Sequence, residues 1–554
     1  MKRYKIIVYS VFISAFGLAS CENASFLDEK TFSITSTTNF YKTEKDFKLA
    51  LIGCYEIINS TSIAGAWMPE GTYSRGLFPI LEGCSDVAVG VQTNTLVDFV
   101  KGNFLPENAI LNKFWSAFFA GISRCNYLLD EIEDKDLDAE FKQQVICETR
   151  FLRAFYYYHL AACFGGVPIS TTPYPDIKAP RAKVEKVYEQ IINDLEFAYA
   201  NSKAEALFKS GANRWAMGTL LGIVYNYLAS CKRYNVGARL VAINPINSFQ
   251  WVNETEMSQK AATVLKDIID NSPYTLLPRE QYTYLFREGT KSYQYKECLF
   301  LSEWNEGVSD AYFTRAYFFV PNGSNKYGGG NGYFVPTYDL YESYIEGDIR
   351  KKHNITGGYS AQSKTETIDG KDYFVPIDAP ITSYTFWKTG KFRACKPNTF
   401  NGLPVHGCVI NYPLLRLADV YLQYAEALYF NGNETEARKW FNPIRERIVD
   451  PGKTTLEAMN QAYHKENFVE ELLDERMREL CFESKRRIDL VRFEKTTEKI
   501  NGLVGDKGAS TVKGGVKNIQ ANWQYHKIWY PIPQTQIDVN KNLVQNPGYS
   551  GESY

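Results

Sequence analysis

A short stretch in the N-terminal part of the chain combines aromatic rings with an arginine. It includes Trp67, Tyr73 and Arg75, and the intervening Pro69 and Gly71 favour turns over regular structure. An aromatic ring offers a wide apolar face, and a guanidinium beside it offers a rigid fork of hydrogen-bond donors. This combination predicts a binding site for a ligand that has both apolar faces and polar edges.

Three further aromatic residues, in the central part of the chain, are candidates for the same role. They are Tyr293, Trp304 and Tyr327, in a region rich in Tyr, Gly and Pro. Trp and Tyr are buried for packing at least as often as they bind ligands, so the alternative for each ring is a place in the core. Contact with a ligand is predicted because this region lacks the regular apolar spacing of a helix or strand.

The sequence has no motif that is typical of catalysis. It lacks the patterns of serine hydrolases, zinc peptidases, phosphate-binding loops and calcium-binding loops. With 5 His and no C-x-x-C, no metal site or cofactor is predicted. The charged cluster from Glu475 to Arg492 is interpreted as ion pairs at i,i+3 and i,i+4 that hold two helices together. Structural ion-pair networks of this kind change the pKa values of their members without taking part in catalysis. The chain is therefore predicted not to be an enzyme.

The first twenty residues have the features of an export signal. Three basic residues among the first five precede a 13-residue apolar run from Ile6 to Leu18, too short to span a bilayer as a mature helix. The small residues in front of Cys21 resemble the lipobox of bacterial lipoproteins. That resemblance implies cleavage before Cys21 and its acylation, and several acyl chains on one residue would anchor the protein stably. The alternative is an ordinary secretory signal that contains a cysteine.

Ten other cysteines are irregularly spaced, which favours no zinc or redox motif. Four of them fall in predicted helices, where cysteine acts as a small apolar residue: Cys54, Cys125, Cys163 and Cys481. Cys395 and Cys408 are the closest pair in a loop-rich region. A disulfide between these two stays open as an alternative to two free thiols.

Helices are predicted towards both ends of the chain. Thr43 and Asp46 have the spacing of a capping box in front of an apolar stripe with helical period. Another helix runs from about Phe141 to Phe164, since Gly165 and the residues after it favour a helix end. Further helical stretches are predicted at about 111–129, 183–200 and 213–231.

Two segments match parts of a tetratricopeptide repeat, in which small residues let two helices approach closely. In the first, Gly222 lies between Leu221 and Tyr225. In the second, Ala425 and Ala437 have the 12-residue separation that such a repeat needs. A plain helical hairpin is the alternative for both segments. Between them, residues 272–406 are irregular, with a β-like run at 297–301, and long irregular segments on a helical scaffold tend to carry binding sites.

Several blocks of sequence together resemble the SusD/RagB family of outer-membrane nutrient-binding lipoproteins of Bacteroidota. They follow one another in the family's order over nearly the whole chain. The blocks are Cys21 with Phe26-Leu27-Asp28, Arg124 to Leu129, Glu148 to Pro168, Leu415 to Ala427, Glu475 to Leu490, and Tyr530 to Tyr549.

The resemblance implies a mainly α-helical body. Four tetratricopeptide-like helix pairs would form the scaffold, and an irregular, loop-rich part with short strands would carry the ligand site. The chain then divides into a signal peptide at 1–20, a tail at 21–44, an N-terminal helical region at 45–271 and a C-terminal region at 272–554. The last is loop-rich at 272–406 and helical, with a final tail, at 407–554.

The resemblance also implies a function. The protein would be lipid-anchored in the outer membrane through Cys21, face the cell exterior, and pass oligosaccharides to a SusC-like TonB-dependent transporter. A peptide- or protein-binding member of the same scaffold is the alternative. Arg75 falls where the family can place a sugar-binding arginine, and sugar rings stack on aromatic faces. In starch-binding members aromatics follow this region, whereas residues 87–94 contain none, which argues against starch.

The composition agrees with a globular ligand-binding protein. Of 554 residues, 45% are hydrophobic, which excludes wholesale disorder. The 62 basic and 63 acidic residues give a net charge of −1, so no positive field is available to attract a nucleic acid. The 39 Tyr residues outnumber the 38 Gly residues and supply rings with polar tips, which suit either a helical core or a binding face.

Overall fold

The computed structural model describes residues 40–60, 62–63, 66–67, 71–73, 76–90, 97–303, 332–360, 362–379, 387–393, 399–400, 403–404, 410–507 and 510–550. Within these ranges the protein is mainly α-helical and its strands are short, as the sequence predicts. No helix in the same ranges is long and apolar enough to cross a membrane.

The helices fall into two groups, before and after the loop-rich central region. In the N-terminal group are α1 (Glu44–Glu56), α2 (Leu77–Glu82), α3 (Ala109–Glu133), α4 (Ala139–Phe164), α5 (Val184–Asn201), α6 (Arg214–Arg233), α7 (Ala238–Val241) and α8 (Glu254–Asn271). The later helices are α9 (Lys291–Glu297), α10 (Tyr338–Glu342), α11 (Ile349–Asn354), α12 (Leu417–Phe430), α13 (Glu434–Lys439), α14 (Asn442–Glu446), α15 (Leu456–Tyr463), α16 (Phe468–Leu480), α17 (Arg486–Arg492), α18 (Thr496–Asn501), α19 (Ser510–Asn522) and α20 (Gln534–Val539). Short 3₁₀ helices occupy Pro245–Asn247, Arg279–Phe286 and Tyr525–Ile528.

The strands pair two by two and antiparallel. The pairs are β1 (Ser62–Ile63) with β2 (Ala66–Trp67), β3 (Ala88–Gly90) with β5 (Phe334–Pro336), β4 (Cys298–Ser302) with β12 (Tyr412–Arg416), β6 (Ile355–Thr356) with β9 (Lys388–Thr389), β7 (Lys364–Ile368) with β8 (Lys371–Val375), and β10 (Thr399–Phe400) with β11 (Leu403–Pro404). The predicted β-like run at 297–301 is confirmed as β4. It is fully buried against β12, so this pair ties the central region to the C-terminal helices.

The helix ends follow local chemistry that the sequence shows. At the start of α1, the Thr43 backbone N–H donates to Asp46 Oδ2 over 2.8 Å, and the Asp46 N–H donates to Thr43 Oγ1, which completes the predicted capping box. Helix α4 ends at Phe164, as predicted. Its C-cap, Gly165, has a φ of +79°, a conformation that glycine adopts without strain.

Small residues allow the helices to pack closely, as expected of tetratricopeptide-like pairs. A Cβ added at Gly218 of α6 would lie 2.7 Å from Tyr199 of α5, and one added at Gly222 would lie 2.6 Å from Leu265 of α8. In the C-terminal hairpin, Ala425 of α12 and Ala437 of α13 are both fully buried. The repeat-like positions therefore lie at helix–helix contacts.

The second helix of the C-terminal hairpin is shorter than the repeat pattern suggests. It ends at Lys439, and Phe441 lies between α13 and α14 instead of inside a continuous helix. Pro443 in the first turn of α14 explains the break, since proline lacks the N–H that a continuous helix would need there.

The cysteines that were predicted to act as small apolar residues do so. Cys54, Cys125, Cys163 and Cys481 are all at most 2% exposed. Cys481 lies immediately after α16 instead of inside a helix. Cys395 and Cys408 fall outside the described residues, so the question of a disulfide between them stays where the sequence left it.

Candidate functional site

The structure places the predicted ligand-binding residues in three different situations. Trp67 is the last residue of β2, opposite Ser62 of β1 in a small hairpin. Arg75, Trp304 and Tyr327 lie outside the described residues. Tyr73 and Tyr293 are described in full, and they differ in exposure.

Residues 71–73, in the second half of the predicted ligand loop, are held by hydrogen bonds and close packing. The Tyr73 N–H donates to the Ile58 carbonyl and Thr72 Oγ1 donates to the Ser60 carbonyl, both over 2.8 Å. Gly71 approaches α3 so closely that a Cβ there would lie 2.4 Å from the Lys113 carbonyl oxygen. Residues 71–73 therefore attach one end of the loop to the helical body.

Tyr73 is a core residue, which differs from the prediction that it faces a ligand. Its side chain is 3% exposed and packs edge-on against Phe78. Its hydroxyl lies 2.8 Å from His159 Nε2, while His159 Nδ1 lies 2.8 Å from the Phe155 carbonyl. Burial lowers the pKa of His159 to about 3, so the ring is neutral, Nδ1 donates to the carbonyl and Nε2 accepts from Tyr73. Tyr73 thus anchors the predicted ligand loop to the core of the protein.

Tyr293 is partly exposed, on α9, and belongs to a group of polar-tipped rings. Its ring meets that of Tyr284 edge to face with centroids 4.9 Å apart, and Lys296 Nζ lies 5.2 Å from its centroid. Its hydroxyl donates to Asp369 Oδ1 over 3.1 Å, and this hydrogen bond raises the pKa of Tyr293. Tyr284, Tyr293, Lys296 and Asp369 are called the tyrosine face below.

The β7–β8 hairpin supplies the acidic side of the tyrosine face. Its two-residue turn is Asp369-Gly370, and both residues have positive φ, +49° and +75°. Such a turn keeps the two strands tightly paired, so the Asp369 carboxylate is presented at a defined place. Sequence reasoning missed Tyr284 and Asp369. Tyr284 lies in a Tyr-rich run that could have drawn attention, whereas nothing in the sequence links residue 369 to residue 293.

The segment after the predicted ligand loop is anchored to the turn between α16 and α17. Asp86 accepts two hydrogen bonds from Arg486, both over 2.6 Å. Glu82 Oε1 accepts from the Phe482 N–H over 2.8 Å. Burial raises the pKa of Glu82 to about 7. These contacts hold the chain that follows the predicted ligand loop against the turn between α16 and α17.

The charged cluster at 475–492 is more deeply buried and more widely connected than the sequence suggests. Arg350 is fully buried and forms ion pairs with Asp348, Glu475 and Glu479 over 2.7 to 3.0 Å. Arg416 pairs with Glu479 and with Glu483. The prediction of pairs at i,i+3 and i,i+4 holds for two of the pairs, Arg478–Glu475 and Arg492–Asp489, whereas most partners come from distant parts of the chain.

The carboxylates of this cluster are committed to structural ion pairs. Burial by itself would raise the pKa of Glu479, but Arg447, Arg416 and Arg350 lower it to about 2, so the carboxylate stays charged. A group that is buried and held by three guanidinium groups is poorly placed to exchange protons with a substrate. Among the residues that the structure describes, no group of three or more His, Cys, Asp or Glu side chains could hold a metal ion.

The helices of the protein pack as tetratricopeptide-like pairs and the central region carries the tyrosine face, and comparisons with known proteins identify the family. A family model described as "SusD family" matches residues 296–549, and one described as "Starch-binding associating with outer membrane" matches residues 26–225. Together the two matches cover most of the chain. The chain belongs to the SusD/RagB family, as its sequence blocks indicated.

Individual relatives agree with this assignment. SusD-like protein P2 of Formosa agariphila is 24% identical over 99% of this chain and 100% of its own length. The starch-binding protein SusD of Bacteroides thetaiotaomicron is 35% identical, over 25% of this chain and 21% of its own. The crystal structure of a SusD homolog from Bacteroides thetaiotaomicron has a TM-score of 0.69 at 18% identity and covers 93% of this chain and 99% of that one. The structural likeness confirms the predicted fold.

Proposed function

We propose that this protein is a surface-exposed outer-membrane lipoprotein that binds oligosaccharide nutrients and delivers them to a SusC-like TonB-dependent transporter. Membership of the SusD/RagB family supports the general role. The observation that carries the binding part is the tyrosine face, because it offers partly exposed rings with a cation over the Tyr293 ring and a carboxylate at its hydroxyl.

The tyrosine face suits a sugar chemically. The apolar C–H face of a pyranose ring can stack on Tyr293, while its hydroxyls exchange hydrogen bonds with Asp369 and Lys296. Because Tyr293 already donates to Asp369, the ring is held in place before a ligand arrives, which reduces the entropy lost on binding. Trp67, Arg75, Trp304 and Tyr327 remain the proposed further contacts.

The cargo is proposed to be a glycan other than starch. The related SusD protein is named as starch-binding, but residues 87–94 of this chain contain no aromatic residue. Starch-binding members of the family, as the resemblance implies, have aromatic residues in that region. The ligand should therefore be sought among other oligosaccharides.

Membrane attachment is proposed to occur through acylation of Cys21. This step follows from the lipobox pattern and agrees with a family described as associating with the outer membrane. In the Cys21→Ser variant, which lacks the sulfur nucleophile, labelling with a palmitate analogue and outer-membrane fractionation should both be lost. Labelling that persists in this variant would contradict the lipobox interpretation.

The proposed role is binding without turnover. The experiment that tests it is a calorimetric screen of the purified mature chain against a panel of neutral and acidic oligosaccharides, with a set of short peptides in parallel. We expect saturable binding to one class of oligosaccharide and no new reducing ends after prolonged incubation. Binding to peptides alone would overturn the glycan proposal and favour the peptide-binding alternative.

A further inference from the structure

An apolar groove that shares no residue with the tyrosine face lies between α3, the loop at 168–179 and α20. Its volume is about 270 Å³. The walls include Trp115 and Phe119 of α3, Ile177 of the loop, and Val539 with the nearby Leu543. The groove is therefore lined by large side chains from three separate parts of the chain.

The rim of the groove exposes more apolar surface than an isolated side chain would. Ile177 is 71% exposed and Val539 is 61% exposed, and Tyr174 in the middle of the same loop is 80% exposed. Contiguous apolar surface of this kind more often marks a contact site than a surface that stays exposed to water. The loop is held in position by side-chain hydrogen bonds from Asn540 to the Ala179 carbonyl and from Asn542 to the Lys178 carbonyl, both over 2.8 Å. The walls of the groove are thus in place before any segment covers it.

The described chain begins near one end of this groove. The ring of Phe40 meets that of Tyr41 edge to face, with centroids 4.7 Å apart. Burial raises the pKa of Tyr41 to about 12, and Glu131 and Tyr127 of α3 add to the rise. The ring of Tyr127 in turn meets that of Tyr174, with centroids 5.7 Å apart. A path of neighbouring side chains therefore leads from the first described residues to the loop that forms the groove.

The chain that precedes Phe40 is long enough to reach the groove. From Tyr127 back to Phe119 along α3 is roughly 12 Å at the helical rise per residue. Leu27 lies thirteen positions before Phe40, and an extended chain of thirteen residue steps spans up to about 43 Å. The same segment carries large apolar residues in its first half, Phe26 and Leu27.

We propose that residues 22–39 of this chain cover the groove, with Phe26 and Leu27 packed against Ile177 and Val539. The contact would remove from water the apolar surface that the rim otherwise exposes. It would also fix where the lipid anchor leaves the body, because Cys21 is only five residues before Phe26, within about 18 Å of extended chain. The groove side would then face the membrane. This inference does not depend on the identity of the ligand.

Cross-linking in the mature chain tests the contact directly. Cysteines are introduced in the pair Leu27→Cys and Ile177→Cys and bridged with a short bismaleimide. The control pair is Leu27→Cys with Lys439→Cys, on the exposed side of α13, where the lysine side chain is 63% exposed. Mass spectrometry of the digested protein should find the 27–177 bridge within one chain and little of the 27–439 bridge.

A thermodynamic cycle in the same mature chain gives a second readout. Leu27→Asp and Ile177→Asp should each lower the melting temperature, and the double variant should lose less than the sum, because both changes break one contact. Additive losses together with equal yields of the two bridges would overturn the proposal. A 27–177 bridge that forms between two chains would overturn it in favour of a dimer.

Discussion

The turn between α16 and α17 and the tyrosine face use side chains in opposite ways. Around the turn, charged groups such as Arg350 and Glu479 are fully buried and satisfy one another. At the tyrosine face, rings that could fill a core are partly exposed and carry polar groups at their edges. Residue type alone therefore does not separate structure from function in this protein. The partners of each side chain decide the role.

Breaking the buried network should have the largest effect of any single change. Arg350→Met leaves Asp348, Glu475 and Glu479 without their shared cation in a dry interior. We expect the free energy of unfolding, measured by denaturant titration, to fall by about 3–5 kcal/mol. Lys186→Met is the matched control, because Lys186 pairs with Glu189 on the surface and its side chain is 60% exposed. Equal stability of the two variants would contradict a structural role for the network.

The pH dependence of stability should reveal Glu82. Burial raises its pKa from 4.5 to about 7, so the unfolded chain loses this proton first and stability falls as the pH rises from about 4.5 to about 7. Glu82→Gln keeps an oxygen acceptor for the Phe482 N–H but cannot ionise. It should therefore be more stable than wild type at pH 8, by up to about 3 kcal/mol, and close to wild type near pH 4. A difference that does not change with pH would refute this account.

Overpacking the C-terminal hairpin should cost less. Ala425 is fully buried on α12, where a repeat-like pair of helices comes together. Ala425→Leu should lower the free energy of unfolding by about 1–3 kcal/mol because the neighbours must shift to make room. Ala262→Leu, at a partly exposed position of α8, serves as the control. An unchanged melting temperature in Ala425→Leu would count against a close helix contact at this position.

The sequence predicted those parts of the structure that local chemistry determines. Neighbouring residues determine the capping box at Thr43 and the end of α4 at Gly165. The helical period of apolar residues determines the burial of Cys125. The outcome for Tyr73 could not be predicted, because its burial depends on His159, 86 residues away.

The candidate site was predictable only in part, for the same reason. Tyr293 stood out by type, but its partner Asp369 is brought to it by the β7–β8 hairpin, 76 residues further along the chain. Likewise the charged residues at 475–492 were visible as a cluster, whereas Arg350 is joined to Glu475 across 125 residues. Spacing in the sequence shows i,i+3 neighbours and cannot show partners that tertiary folding supplies.

Whether sugars stack on the tyrosine face is decided by the affinity of a tyrosine-face variant for the oligosaccharide that binds best in the panel. Tyr293→Ala removes the stacking ring, and Tyr174→Ala removes an 80% exposed tyrosine on another surface as the matched control. Isothermal titration should show roughly ten-fold weaker binding for Tyr293→Ala and wild-type binding for Tyr174→Ala, with both variants folded as judged by circular dichroism. Wild-type affinity in a folded Tyr293→Ala protein would show that the ligand binds elsewhere.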